Sequence, residues 1–267
     1  MTAPSSVPLL AHGTCQVWWA RAADLRPEHD ALLGPADLQR RSRLLRAADR
    51  ERSTAAAAVV GLVLGAHTGR PPARLRIDRT CRHCGRPHGK PRLADVPGLH
   101  FSVSHSADCV VVAVSRDGPV GVDVEEVESW ETADLDDVAV LTLAPEERAV
   151  LSRSPVADRA AVFTAYWTRK EAAVKATGAG LTAALDEIAV SSPSTTPRVL
   201  RWGDPTAGPP PVLHALRPPH GYAAALALAR PTIRVVEADA GPLLHAAAGF
   251  QTSRRLSSAT TRSQRYP

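Results

Sequence analysis

Apolar positions along this chain follow two periods, and the switches between them predict alternating strands and helices. Short apolar or alternating runs predict strands at Cys15–Ala20 (CQVWWA), His100–Ser106 (HFSVSHS), Cys109–Ser115 (CVVVAVS) and Val120–Val127 (VGVDVEEV). Arg116-Asp117-Gly118-Pro119 supplies a turn between the last two, which are therefore expected to be adjacent. Helical spacing predicts a stretch opened by Pro35, a helix over Asp49–His67, and another over Phe163–Thr177 that Gly178 and Gly180 terminate. Later strands are expected around LDEIAV, VLHAL and GYAAALALA.

The pattern repeats faintly, because Gly34-Pro35 followed by Ala48-Asp49-Arg50 is echoed by Ala144-Pro145 followed by Ala157-Asp158-Arg159. Each block leads into an alanine-rich helix. The expected fold is α+β, with two similar halves related by pseudo-twofold symmetry over residues 1–118 and 119–236 and an active site at their junction. From residue 237 the sequence turns small and polar, so 237–267 is expected to be a disordered tail.

Candidate chemistry sits where the two periods meet. Strand alternation places Val120, Val122 and Val124 on one face of VGVDVEEV and Asp123 with Glu125 on the other. On the helix near residue 170, Trp167, Glu171 and Lys175 share one stripe, while Phe163, Tyr166, Lys170 and Val174 share the next. Asp123, Glu125 and Glu171 together offer three hard oxygen ligands of the kind that hold Mg²⁺. Lys175, one turn on, could meet a phosphate; Lys170 falls to packing or a surface ion pair.

Composition sharpens this picture. Only three of the 32 basic residues are lysine, Lys90, Lys170 and Lys175, and all lie in the short motifs GKP and WTRKEAAVK. A net charge of +5 suits an anionic small molecule or an acidic partner. The arginine-rich segments carry no interleaved aromatic residues, which argues against nucleic acid. No run approaches the roughly 18 apolar residues of a membrane span. MTAPSSVPLL lacks a signal-peptide pattern and the four cysteines are unevenly spaced, so a reducing cytoplasm is expected. Cys81-Arg82-His83-Cys84, with His88 nearby, imitates part of a zinc site, but a lone CxxC is a weak signal and a reduced loop is the expectation.

Taken together, GVDVEEV and, about forty residues later, WTRKEAAVK resemble the paired signature of the 4′-phosphopantetheinyl transferases of the surfactin-synthetase-activating type. HGKPRL with Lys90, FSVSHS with Ser104 and His105, and the arginine-rich helix from Pro35 to Ser53 follow the family order. The resemblance covers roughly residues 15–230 and implies transfer of the phosphopantetheine arm of coenzyme A to a serine of an acyl or peptidyl carrier protein. It further implies Mg²⁺ on Asp123, Glu125 and Glu171, with Glu171 a candidate base directly or through water, and Glu171 and Lys175 as the catalytic pair. Coenzyme A contacts are implied at Arg40, Ser53, Lys90, Ser104, His105 and Lys175. Asp37 stands where some members carry a basic residue, and Arg43 or Arg52 are the expected substitutes. A monomer is expected. Two other functions use the same residues: a metal-dependent phosphohydrolase or nuclease, and a non-catalytic coenzyme A or nucleic acid binding module.

Overall fold

A computed structural model describes residues 6–130, 132–180, 183–203, 208–231 and 233–249. The fold is mixed α+β, built on two antiparallel-rich sheets that meet along one seam. The first sheet has the order β11-β1-β5-β4, from strands β1 (Thr14–Arg21), β4 (His100–Ser106), β5 (Cys109–Ser115) and β11 (Arg234–Asp239). Only β1 and β11 run parallel. The second sheet has the order β6-β10-β9, from β6 (Val120–Glu126), β9 (Val212–Ala215) and β10 (Tyr222–Leu228), all antiparallel. Two short ladders, β2 (Ile77–Asp78) with β3 (Arg92–Leu93) and β7 (Ala189–Val190) with β8 (Val199–Arg201), border the loops.

Period-two alternation explains why three apolar clusters form. Trp18, Ala20, Phe101, Val110, Val112 and Val114 face the buried side of helix α2 (Ala47–Thr68). The opposite face of the same strands, with Val17, Trp19, Val111 and Ala113, packs on Val120, Val122, Val124, Leu226 and Leu228 of the second sheet. Ala225 and Ala227, on the far side of β10, face helix α5 (Val156–Thr177). Both long helices end at a glycine in the left-handed region, Gly69 at φ 68° and Gly178 at φ 80°, a conformation that costs glycine nothing.

Several expectations change against this frame. The basic stretch from Pro35 divides into α1 (Pro35–Ser42) and the start of α2, with a break over residues 43–46. The strands β5 and β6, expected to be adjacent, do not pair with each other and belong to different sheets. Instead β6 runs along β4, where the Val122 and Glu126 N–H groups each donate to a serine hydroxyl, Ser102 Oγ and Ser106 Oγ, at 3.1 Å. The alternating serines of FSVSHS thus do the work of a backbone ladder.

Part of the segment from 237, expected to be an unstructured tail, is ordered: β11 pairs with β1 and residues 241–249 form a helix, α6. Ala240 and Leu244 are fully buried there, which supplies the burial that the small, polar composition hid. Residues 250–267 of that expected tail lie outside the described residues. Helices α3 (Thr132–Thr142) and α4 (Pro145–Arg153) lie between β6 and α5 in the chain, and no helix among the described residues is long and apolar enough to cross a membrane.

Lys170, expected in packing or a surface pair, is wholly buried with Glu147 at 2.5 Å and donates to the carbonyls of Thr142 and Leu185 at 2.7 and 2.8 Å. Glu147 accepts from the N–H groups of Ala144 and Val190 as well, so every charge in the pair is met. Next to it, the Arg169 guanidinium donates to the carbonyls of Ser191, Ser192, Pro193 and Thr195. The first two basic residues of WTRKEAAVK therefore anchor α5 and its neighbouring loop.

Helix α5 and strand β6 approach each other closely at Gly121. A Cβ on Gly121 would sit 2.0 Å from the Ala172 carbonyl oxygen and 2.4 Å from the Ala176 nitrogen, so no other residue fits there. Gly121→Ala is expected to destabilise the protein by about 3 kcal/mol through overpacking against backbone that cannot yield. Denaturant unfolding checks this, and a wild-type midpoint would refute the close approach.

Candidate active site

Because α5 lies directly on β6, residues one turn apart on the helix meet residues two apart on the strand. Asp123, buried at 1% exposure, accepts at one oxygen, Oδ1, from Ser104 Oγ at 2.8 Å and from Lys175 Nζ at 2.5 Å. Lys175 also donates to Ser104 Oγ at 3.0 Å. Three elements, β4, β6 and α5, so place one polar triangle at the seam. The second Asp123 oxygen, Oδ2, is buried and has no hydrogen-bond partner. A buried carboxylate oxygen left unpaired costs free energy, and such an atom marks a place for an external cation or donor.

The two other acids feel this charge. Burial, and then the neighbouring Asp123 carboxylate, push Glu125 up to about 7, with the Ser106 hydroxyl and Lys175 opposing. Glu171 is raised by the same two causes and pulled back by Lys175. Two acids whose ionisation is opposed, beside the unpartnered Asp123 oxygen, suit a divalent cation, whose charge would relieve both penalties at once.

Beside this cluster opens a cavity of about 420 Å³. Six of the residues expected to contact substrate or metal line it: Arg40 from α1, Ser53 from α2, Ser104 and His105 from β4, Glu125 from β6 and Lys175 from α5. Its wall therefore draws on both sheets. His105 is exposed. Arg40 Nη2 is 3.1 Å from Asp37 Oδ1, and both residues line the cavity.

Lys90 is placed differently. Its ammonium donates to the carbonyls of Val120, at 2.6 Å, and Lys175, and its stem packs on Gly178. Burial and then Lys175 lower it to about 8. Lys90 thus ties the loop before β3 to β6 and to the end of α5, and does not line the cavity.

One charged lining residue was not anticipated. Arg79 joins Arg40 and Asp37 on the cavity wall, its Nε is buried without a partner, and burial followed by Arg40 lowers it to about 10. Neither Arg43 nor Arg52, the expected substitutes for a base at Asp37, lines the cavity; Arg52 is engaged by Asp49 and the Ala107 carbonyl. No local period could have marked Arg79, because the strand before it, β2, has only two residues.

The sequence profile of the 4′-phosphopantetheinyl transferase superfamily matches residues 119–227, which include β6 and α5. The 4′-phosphopantetheinyl transferase HetI of Nostoc sp. is 33% identical over 174 residues, 64% of this chain and 70% of HetI. The chain belongs to the 4′-phosphopantetheinyl transferase family. Two further transferases of this family are similar over shorter stretches. Psf-1 of Bacillus pumilus is 38% identical over 35% of this chain and 38% of its own length. Sfp of Bacillus subtilis is 29% identical over 39% of this chain and 44% of its own length. The chain thus spans less than half of these two relatives. Their names carry the phosphopantetheinyl transfer that the resemblance implied, and this family member is an enzyme of that class.

The raised Glu125 value has a sign that can be tested in the metal-free transferase. Below pH 4.5 the group is protonated folded and unfolded alike, and contributes nothing to the balance. As pH rises toward 7 the unfolded chain gains more from ionisation, so the folded state loses stability, and the full penalty stands above that value. In the presence of a chelator, Glu125→Gln is therefore expected to exceed wild type by about 2 kcal/mol at pH 8 and to match it near pH 4.5. Denaturant midpoints across that range decide it; equal midpoints at pH 8 would contradict the assigned environment.

Proposed function

We propose that this chain transfers the 4′-phosphopantetheine arm of coenzyme A to a serine hydroxyl of an apo acyl or peptidyl carrier protein, releasing adenosine 3′,5′-bisphosphate in a Mg²⁺-dependent reaction. The observation that carries this reading is the single cavity onto which Arg40, Ser53, Ser104, His105, Glu125 and Lys175 converge beside the Asp123 cluster. A cationic wall next to a carboxylate cluster fits a substrate with a pyrophosphate at the reacting end and a further phosphate at the other.

In this reading Asp123, Glu125 and Glu171 hold Mg²⁺, which neutralises charge on the pyrophosphate when bound. Lys175 meets a phosphate oxygen at the reacting end, exchanging part of its bond to Asp123 for it. Arg40, Arg79, Ser53, Ser104 and His105 hold the remaining phosphate and its nucleoside. The carrier serine oxygen forms a new bond to phosphorus as the bond to the bisphosphate leaving group breaks. Glu171, directly or through a water, receives the serine proton, a role its raised affinity for protons favours.

The partner is the acidic carrier protein, which a chain of net charge +5 would attract. The proposed enzyme acts as a monomer and works in the reducing cytoplasm, consistent with its four free cysteines. Two related halves are part of the same proposal: a proline-initiated short helix precedes a 22-residue helix in each, α1 with α2 and α4 with α5.

Incubation with coenzyme A, Mg²⁺ and an apo carrier protein should add the phosphopantetheine mass to the carrier, and Asp123→Ala should abolish the gain. Bisphosphate released at the same rate without carrier would instead favour a phosphohydrolase using the same acids. Arg79→Ala should raise the KM for coenzyme A about tenfold or more, as expected for one lost charge-assisted contact, with kcat changed less. An unchanged KM would remove Arg79 from the substrate wall.

A further inference from the structure

The loop between β2 and β3 brings together three side chains that the transfer reaction does not use. Cys81, Cys84 and His88 place one ligand atom each within 4.8 Å of one another, and Cys84 Sγ lies 2.9 Å from His88 Nε2. Ligands on one tetrahedral zinc ion lie about 3.5–3.8 Å apart, so only small side-chain adjustments separate this arrangement from a bound state.

The backbone is shaped around the first sulfur. Gly85, in the left-handed region at φ 71°, donates to the Cys81 carbonyl at 2.9 Å, and Cys81 N donates to the Arg86 carbonyl at 2.8 Å. The N–H groups of Cys84 and His83 are directed at the Cys81 sulfur. Gly89 closes the loop by donating to the Arg79 carbonyl at 2.7 Å, and a Cβ there would lie 2.7 Å from Cys81 Cα. The other two cysteines, Cys15 and Cys109, are buried in the apolar layer between the sheets, where packing accounts for them. Packing does not account for Cys84 or His88, which are exposed.

We propose that this loop binds one Zn²⁺ through Cys81 Sγ, Cys84 Sγ and His88 Nε2, with water completing the tetrahedron. Thiolate and imidazole ligands select zinc over the hard cations suited to the carboxylate cluster. Binding releases two thiol protons to solvent and requires the imidazole proton on Nδ1. The ion's task is to fix the loop whose entry carries Arg79 to the cavity and whose exit carries Lys90 to the seam.

Full-length protein is equilibrated with Zn²⁺, exchanged into metal-free buffer and analysed for zinc per chain by mass spectrometry, beside the Cys81→Ser/Cys84→Ser variant and a separate His88→Ala variant. One zinc per wild-type chain and loss in the double variant are expected, with weakened retention in His88→Ala. Substituted Co²⁺ should show a thiolate-to-cobalt charge-transfer band in wild type and none in the double variant. Equal zinc in wild type and double variant overturns the site, as does metal retention without the charge-transfer band. Because His88→Ala leaves both cysteines in place, it reports on the ligand set even if the double variant fails to fold. The readout is metal content, so its failure leaves the transfer reading intact.

Discussion

The contact on which the site depends is backbone against backbone: the helix α5 rests on β6 at Gly121, where a side chain would overlap the Ala172 carbonyl. This approach brings Lys175 to 2.5 Å from Asp123 and surrounds Glu171 with the field of the same carboxylate. Helix rotation is fixed from the other side. Lys170 and Arg169 reach into Glu147 and a set of loop carbonyls, so the stripe bearing Glu171 and Lys175 has one azimuth available. Consecutive residues of one motif thus divide between holding the helix and presenting its chemistry.

A second constraint comes from the seam between the sheets. Three serines at alternate positions of β4 face β6; two accept backbone N–H groups and the third, Ser104, binds Asp123 and Lys175 instead. The interruption falls at the position where the cavity opens. Side-chain hydroxyls can be redirected toward a substrate, whereas a ladder carbonyl committed to its neighbour strand cannot.

Periodicity made much of this legible. The alternation of VGVDVEEV separated its valines from its acids, and the valines are buried between the sheets while Asp123 faces the site. The i,i+4 spacing of Glu171 and Lys175 was equally readable. What escaped were features set by partners distant in sequence. The parallel pairing of β11 with β1 joins residues more than two hundred positions apart, and no local feature announces the partner. The pairing of β6 with β10 was obscured because a short turn linked β6 to β5 and suggested a hairpin. Lys170 was readable as packing or as a surface ion pair because its counter-ion, Glu147, lies on another helix. Arg79 was hidden in a segment with only two strand residues before it, too short to display a period.

The return of β11 to the edge of β1 has a consequence for how the chain can be divided. The path begins in the first sheet, crosses to build the second, and comes back to finish the first. The second sheet and α5 are therefore an insertion between parts of the first, and cutting at Pro119 would leave one fragment lacking its edge strand and the other carrying a strand with nothing to pair. Exchange of modules between relatives would have to excise the middle of the gene and keep both flanks, since neither half corresponds to one uninterrupted stretch of sequence.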